Sequence, residues 1–295
     1  MNELPSRANP VGATGATEPV RAARAGGRTI TLLPRAPYEA AYVPGTGVVG
    51  FAFESQHGDH AFGGDRRRPF RTRPNTLSWV PSGCDVRSRS PVGGEYLTVT
   101  SIDVAGAVAS RPRWSDRPSP AATRAALALR AGLLEGDLDA GAALAAVEAL
   151  EGAATATSEA DGVAVPREAR WLTDARLRRI EEYLDAHVHE PVGVTNLAAA
   201  CGVSSGFLAR ICRAATGLTP HAWLLDRRLA RARALLATTD VSLADVALAA
   251  GFASHAHLTA TMRRRVGVVP SRLRAGRRPG GAGRTVSGAP SRTGT

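Results

Sequence analysis

Residues 194–273 contain one construction written twice: a short helix of small residues, a turn, and a second helix running to a Gly and then a Pro. In the first copy, residues 194–201 lead through Gly202-Val203 into 204–213, then Gly217 and Pro220. In the second, residues 241–248 lead through Gly251-Phe252-Ala253 into 254–265, then Gly267 and Pro270. From mid-helix onward the copies keep a constant offset of 50 residues, pairing Leu208 with Leu258, Arg213 with Arg263, Gly217 with Gly267 and Pro220 with Pro270. Two helices joined by a tight, Gly-bearing turn form the unit that lays a recognition helix in the DNA major groove. Two units on one chain predict a protein that reads two grooves without a partner subunit.

The charge distribution points the same way. The chain carries +11, yet residues 1–169 balance 18 Arg against 18 acidic residues. Residues 170–278 hold 17 Arg against 8 acids, and the tail from Pro279 adds two more Arg. The excess therefore sits on the duplicated helix pairs, as expected of a phosphate-binding surface. Base composition explains why every basic residue is Arg and none is Lys. It does not explain one neutral half and one basic half.

Length and composition bound the architecture. A chain of 295 residues usually holds two domains, each able to bury its own core. No apolar run approaches the ~20 residues of a membrane span, and the N-terminus lacks a charged-then-apolar signal pattern. Cys84, Cys201 and Cys212 are odd in number and widely separated, which predicts reduced thiols in a cytoplasmic protein.

The fold class expected is α+β. Residues 1–27, rich in Pro, Gly, Ala and Arg, are expected to be a disordered arm. Residues 28–151 are expected to form one domain. Its short apolar runs at 29–33, 48–53, 77–80, 84–88 and 96–102 suit a small antiparallel barrel or jelly roll. A helical hairpin follows. Its first helix is capped by Ser119-Pro120, and its second starts near Asp137 or Asp139. Two roles for the hairpin stay open, covering the barrel or forming a dimer interface. Residues 152–169 are expected to be a linker, 170–276 an all-α domain, and 277–295 a disordered tail. In the helical half, Thr173 precedes a helix with Leu177, Ile180, Leu184 and Val188 on one face. Thr219-Pro220 opens a helix joining the two units, Ser242 with Asp245 forms a capping box, and Ser254 caps the next helix.

Residues 228–247 (Arg-Leu-Ala-Arg-Ala-Arg-Ala-Leu-Leu-Ala-Thr-Thr-Asp-Val-Ser-Leu-Ala-Asp-Val-Ala), 251–258 (Gly-Phe-Ala-Ser-His-Ala-His-Leu) and 267–274 (Gly-Val-Val-Pro-Ser-Arg-Leu-Arg) resemble the signature of the AraC/XylS family of transcriptional regulators. The resemblance covers about residues 172–276. It implies a seven-helix DNA-binding domain whose two helix-turn-helix units are bridged by a long helix. It also implies recognition helices entering successive major-groove segments on one face of the DNA, a separation near one turn, ~34 Å. Departures exist. Val203 and Met262 stand where the family often has aromatic residues, and the groove-facing positions Gly206, Ala209, Ala256 and Ala260 are small where the family often has longer polar side chains. More weakly, the N-terminal half resembles the cupin-like sensor domains of this family, with residues 73–86 as a strand–turn–strand corner. Cupin enzymes hold metal through a His-x-His pair and downstream ligands. His57-Gly-Asp-His60 has the wrong spacing and is expected to be a polar loop, so no metal and no cofactor are expected.

The candidate DNA-binding residues follow from the two second helices. In the first they are Ser205, Gly206, Ala209, Arg210 and Arg213. Arg210 is assigned to a base edge, where Arg pairs with guanine O6 and N7, and Arg213 to a phosphate. In the second they are His255, Ala256, His257, Ala260, Arg263 and Arg264, with both histidines in the first turn, where such helices meet base edges. As a metal pair these histidines fail, because i,i+2 spacing places them about 200° apart around a helix. Phe207, Leu208, Ile211, Leu258, Met262, Trp223 and Phe252 are core by their spacing.

The function expected is a non-enzymatic, sequence-specific transcription regulator that binds a double-stranded DNA operator. Its N-terminal domain would sense a small-molecule effector or form a homodimer. The resemblance further implies activation beside RNA polymerase. Rival readings are a constitutive DNA binder without effector and a cupin-type enzyme or alkyl-transfer repair protein carrying a DNA-binding segment. The enzymes need a metal triad or an activated Cys. The basic half should bind duplex DNA with log K falling steeply against log salt in a titration; a flat plot would contradict the charge argument.

Overall fold

The computed structural model of this chain describes residues 20–100, 112–159, 171–190, 193–216 and 218–275. Ten strands precede nine helices among them. The strands are β1 (Arg21–Ala25), β2 (Arg28–Leu33), β3 (Tyr38–Tyr42), β4 (Val48–Ala52), β5 (Gln56–Phe62), β6 (Arg68–Thr72), β7 (Thr76–Val80), β8 (Val86–Ser90), β9 (Tyr96–Thr100) and β10 (Trp114–Pro118). They make two antiparallel sheets, ordered β1-β2-β9-β4-β7-β10 and β3-β8-β5-β6. The sheets face one another across a cavity lined from both. The helical hairpin α1 (Pro120–Glu135) and α2 (Ala140–Glu159) covers the outer face of the larger sheet. Strand β4, between sheet partners and below α2, is therefore buried at all five positions.

Local chemistry explains the hairpin. Ser119 Oγ accepts the Ala122 N–H, Pro120 occupies the first helical position, and Gly136 closes α1 in the left-handed region at φ 72°. Asp139 Oδ1 then accepts the Ala142 N–H at 2.7 Å to start α2. Leu129, Leu133, Val147 and Leu150 supply the apolar stripe between the two helices and the sheet.

Three expectations need correction. Residues 21–25 are strand, not arm: β1 pairs with β2 through a Gly26-Gly27 turn with φ of 54° and 78°, the left-handed pair a tight hairpin demands. Residues 152–159 continue α2 rather than starting a linker, since Ala153 and Ala154 bury against the hairpin core. The His57–His60 stretch is strand β5, hydrogen-bonded between β6 and β8, rather than a loop. Residues 1–19, 160–169 and the tail 277–295 lie outside the described residues.

The C-terminal half holds α3 (Asp174–Ala186), α4 (Val194–Ala200), α5 (Ser205–Thr216), α6 (Pro220–Thr238), α7 (Leu243–Ala249), α8 (His255–Val266) and α9 (Pro270–Ala275). Its apolar side chains divide between two cores. Leu177, Ile180, Leu184, Leu197, Leu208, Ile211, Trp223 and Leu224 close the first helix-turn-helix unit, α4–α5. The second unit, α7–α8, has no core of its own. Val246, Phe252, Leu258, Met262 and Val266 join one continuous cluster with Leu129, Leu133 and the sheet residues Phe51 and Leu97. Helices α8 and α9 rest on α1.

Charged groups complete this contact. The carboxylate of Glu95, on the β8–β9 connection, is buried between Arg130 of α1 and Arg233 of α6, at 2.6 Å from each. Burial alone would raise its pKa; the two guanidiniums outweigh that and hold it below the usual carboxylate range. A second cluster ties the first unit to the smaller sheet. Glu181 of α3 accepts from Ser55, from Arg71 at 2.7 Å, and pairs with Arg227 of α6 at 3.5 Å.

Separating the halves would thus bare the apolar sides of α6, α8 and α9, so the salt titration expected of the basic half, and every other binding measurement, belongs with the full chain. Gly267, the C-cap of α8, has φ 91°, and a Cβ there would lie 2.4 Å from the Ala131 Cβ. Gly267→Ala combines backbone strain with that collision and should cost roughly 1–3 kcal/mol in urea unfolding. An unchanged midpoint would refute the tight seating of α8 on α1.

Candidate nucleic-acid interface

Helix α5 sorts its residues by face. Leu208, Ile211 and Cys212 are buried, while Gly206, Arg210 and Arg213 are exposed along one stripe at i, i+4 and i+7. Ser205 and Ala209 are half-buried beside that stripe. Space beyond Gly206 is open, with no atom within 4 Å of where a Cβ would sit. Arg210 carries its guanidinium 5.8 Å from the Phe207 ring, which in turn packs edge-on against Trp171. Phe207 is therefore half-buried support rather than deep core.

Helix α8 repeats the arrangement 50 residues later. Ser254 Oγ accepts the His257 N–H at 3.1 Å and caps its first turn. His255, Ala256, His257, Ala260, Arg263 and Arg264 are all exposed, and Leu258, Thr261, Met262 and Val266 point inward. His255, Ala256, Ala260, Arg263 and Arg264 border a shallow open depression with Thr259. The His257 ring sits edge-on to Phe252 at 5.4 Å. Equivalent stripe positions are thus Gly206 and Ala256, Arg210 and Ala260, Arg213 and Arg263. Each face presents two guanidiniums, Arg210 and Arg213 on α5 and Arg263 and Arg264 on α8, at positions that match only for Arg213 and Arg263.

Arg210, Arg213, Arg263 and Arg264 have no carboxylate partner among the described residues. Arg265 differs. It turns inward and holds Asp226 of α6 at 2.8 and 3.1 Å, so the run of three arginines splits into two outward cations and one tether. Sequence reasoning missed that tether, whose signal is the 39-residue separation from an acid on another helix.

The turn of the second unit is equally constrained. Gly251 has φ 81°, and a Cβ there would lie 2.2 Å from the Val188 carbonyl oxygen. That same carbonyl accepts from Arg228 Nε at 2.9 Å.

Sequence reasoning also left unassigned the cavity of about 160 Å³ between the sheets. Its walls include Phe62, Phe70, Trp79 and Val86, with the hydroxyls of Tyr38, Tyr42 and Tyr96. Burial raises all three phenols, Tyr42 to about 12, so they remain protonated donors at neutral pH. Tyr96 shares a 2.5 Å hydrogen bond with Ser78, and Tyr38 a 3.1 Å one with Ser88. His60 stacks on Phe70 at 5.2 Å; burial and then Arg113 lower its pKa. Arg113 lies 3.4 Å over the Phe62 ring. The legible signal was the i,i+4 pair Tyr38 and Tyr42, on one face of a strand too short in apolar residues to stand out.

No group of three or more His, Cys, Asp or Glu side chains that could hold a metal occurs among the described residues. Burial raises all three thiols, Cys212 to about 12, the opposite of nucleophile activation. Among the described residues no single helix is long and apolar enough to cross a membrane.

Removing the cap of α8 tests how the second face is held. Ser254→Ala leaves the His257 N–H unsatisfied and should cost about 0.5–2 kcal/mol of stability, with faster amide exchange confined to the first turn of α8. Unaltered exchange there would contradict the capping role.

Comparison with known proteins places this geometry. A helix-turn-helix domain family matches residues 197–276. The HTH-type transcriptional regulator ExsA of Pseudomonas aeruginosa is 30% identical over 108 residues, 37% of this chain and 39% of that protein. The HTH-type transcriptional activator RhaS of Escherichia fergusonii is 37% identical over 105 residues, 36% of this chain and 38% of its own length. The chain thus spans less than two fifths of these curated relatives. Among solved structures, an AraC-type DNA-binding domain-containing regulator from Chromobacterium violaceum is 33% identical, covering 36% of this chain and 94% of that one, with a TM-score of 0.34. The DNA-binding domain of AdpA, solved with a target DNA, is 37% identical over 36% of this chain and 97% of that one, with a TM-score of 0.33. Residues 197–276 thus form a helix-turn-helix domain, and over this C-terminal part the chain is similar to these transcriptional regulators.

Proposed function

We propose that this protein is a cytoplasmic, sequence-specific transcription regulator that binds a duplex operator through α5 and α8. The observation that carries the reading is the pair of equivalent outward stripes, each ending in arginines without carboxylate partners. Arg213 and Arg263, at matching positions, are assigned to phosphates, where an unpaired guanidinium gains most by releasing counterions. Arg210 is assigned to a base edge. Ser205, His255 and His257 flank the groove-facing stripes. Gly206, Ala209, Ala256 and Ala260 let the backbone of each helix approach the bases closely.

The N-terminal domain is read as the cupin-like sensor, with the cavity as the effector site. Its volume of about 160 Å³ is close to that of a cavity that holds benzene. Apolar walls with three phenolic donors fit a small aromatic or alicyclic molecule bearing oxygen acceptors. Response would be linkage: a ligand shifts the DNA-competent population by no more than its differential affinity for the two states. RhaS is named a transcriptional activator, and by that likeness the regulated partner is RNA polymerase. A homodimer through the N-terminal domain is the assembly proposed.

Arg210→Ala tests the base assignment. Its affinity for a duplex selected from a randomised pool should fall by about 1–3 kcal/mol, with a smaller loss on random duplex. Equal loss on both would make Arg210 a phosphate contact.

A further inference from the structure

Two short segments of the N-terminal domain face the cavity on one side and the helical half on the other. Gly94 and Tyr96 line the cavity, while Glu95 between them points the opposite way, between Arg130 and Arg233. Gln56 lines the cavity, while Ser55 hydrogen-bonds Glu181 of α3, and Phe53 lies 4.7 Å beneath the Arg130 guanidinium. The segments touch at Gly94, where a Cβ would lie 3.2 Å from the Ser55 carbonyl oxygen. The Glu95 N–H also donates to Glu54 at 3.2 Å. A side chain or ligand that displaces the cavity wall here moves backbone that carries a buried charge.

That charge leads directly to the second recognition helix. Arg130 precedes Ala131, the residue against which Gly267 closes the end of α8. Arg233 lies on α6, the helix whose Asp226 holds Arg265 of α8. Because one Glu95 carboxylate bridges Arg130 of α1 and Arg233 of α6, a shift of its backbone acts on both helices together.

We propose that Glu95 is the positioning residue that couples occupancy of the cavity to the seating of α8, and thereby to DNA affinity; this rests on reading the cavity as the effector site and α8 as a DNA-reading helix. The ligand class is the one the cavity chemistry selects, a small ring compound with oxygen acceptors for the tyrosines. Glu95 touches neither ligand nor DNA. Its effect is visible only in how one alters the affinity of the other.

A double-mutant cycle on the full chain tests the coupling without an identified ligand. Ala40 lines the cavity and is buried, so Ala40→Phe acts as a permanent occupant; Ser88→Phe at the same wall is the second variant should the first fail to fold. The coupling is removed by Glu95→Leu with Arg130→Met and Arg233→Met, an apolar replacement of the kind that leaves such triads folded, and independently by Glu95→Gln. Affinity is read by fluorescence anisotropy on a duplex selected by the wild-type chain from a randomised pool. The expected result is that filling the cavity changes Kd by fivefold or more in the wild-type background and by less than twofold in both Glu95 backgrounds. Equal fold-changes in all backgrounds, or no change in the wild type, would overturn the coupling while leaving DNA binding intact. Failure to select any duplex would overturn the DNA-binding reading, and the coupling with it.

Discussion

Helix α6 is buried on opposite sides by two different cores, and the rest of the structure is arranged around that fact. Trp223 and Leu224 pack into the first helix-turn-helix unit, while Leu225, Leu229, Ala232 and Leu236 pack with the second unit and the N-terminal domain. A helix enclosed on both sides has little room for solvated charge, yet Arg227, Arg228 and Arg233 are all buried. Each is compensated: Arg227 by Asp185 and Glu181, Arg228 by the Val188 and Glu190 carbonyls, Arg233 by Glu95. At 19 residues, α6 spans about 28 Å. One rigid rod therefore sets where α5 and α8 stand.

The two units are attached to the N-terminal domain by different forces. The second shares an apolar cluster with α1 and the larger sheet, so moving it apart exposes hydrophobic surface at about 25 cal/mol per Å². The first is joined through a polar patch centred on Glu181, with Ser55, Arg71 and Arg227. Ion pairs exchange partners at lower cost than a packed core opens, provided no charge is stranded.

Much of the helical half was legible because its signals are local. Thr173, Thr219, Ser242 and Ser254 each cap the helix they were expected to cap, Gly267 closes α8 where the repeat placed it, and Pro220 and Pro270 open α6 and α9. The outward residues of α5 and α8 followed from the same periodicity. Strand β1 holds only Arg and Ala, so no apolar alternation marks it, and strands β3, β5, β6 and β10 did not show themselves for a common reason. Their sequences, such as Gln56–Phe62 and Arg68–Thr72, place polar side chains on the solvent face and polar or aromatic ones toward the cavity, so no apolar alternation marks them. The Glu95 and Glu181 clusters were illegible because each joins residues more than 100 positions apart. No spacing rule reaches that far.

Hydroxyl-radical footprinting of the full chain on a selected duplex tests the central claim most directly. Two recognition helices fixed on one rod should protect two segments on the same face of the DNA, centred about 10 base pairs apart. A single protected segment, of a length one helix covers, would contradict the account.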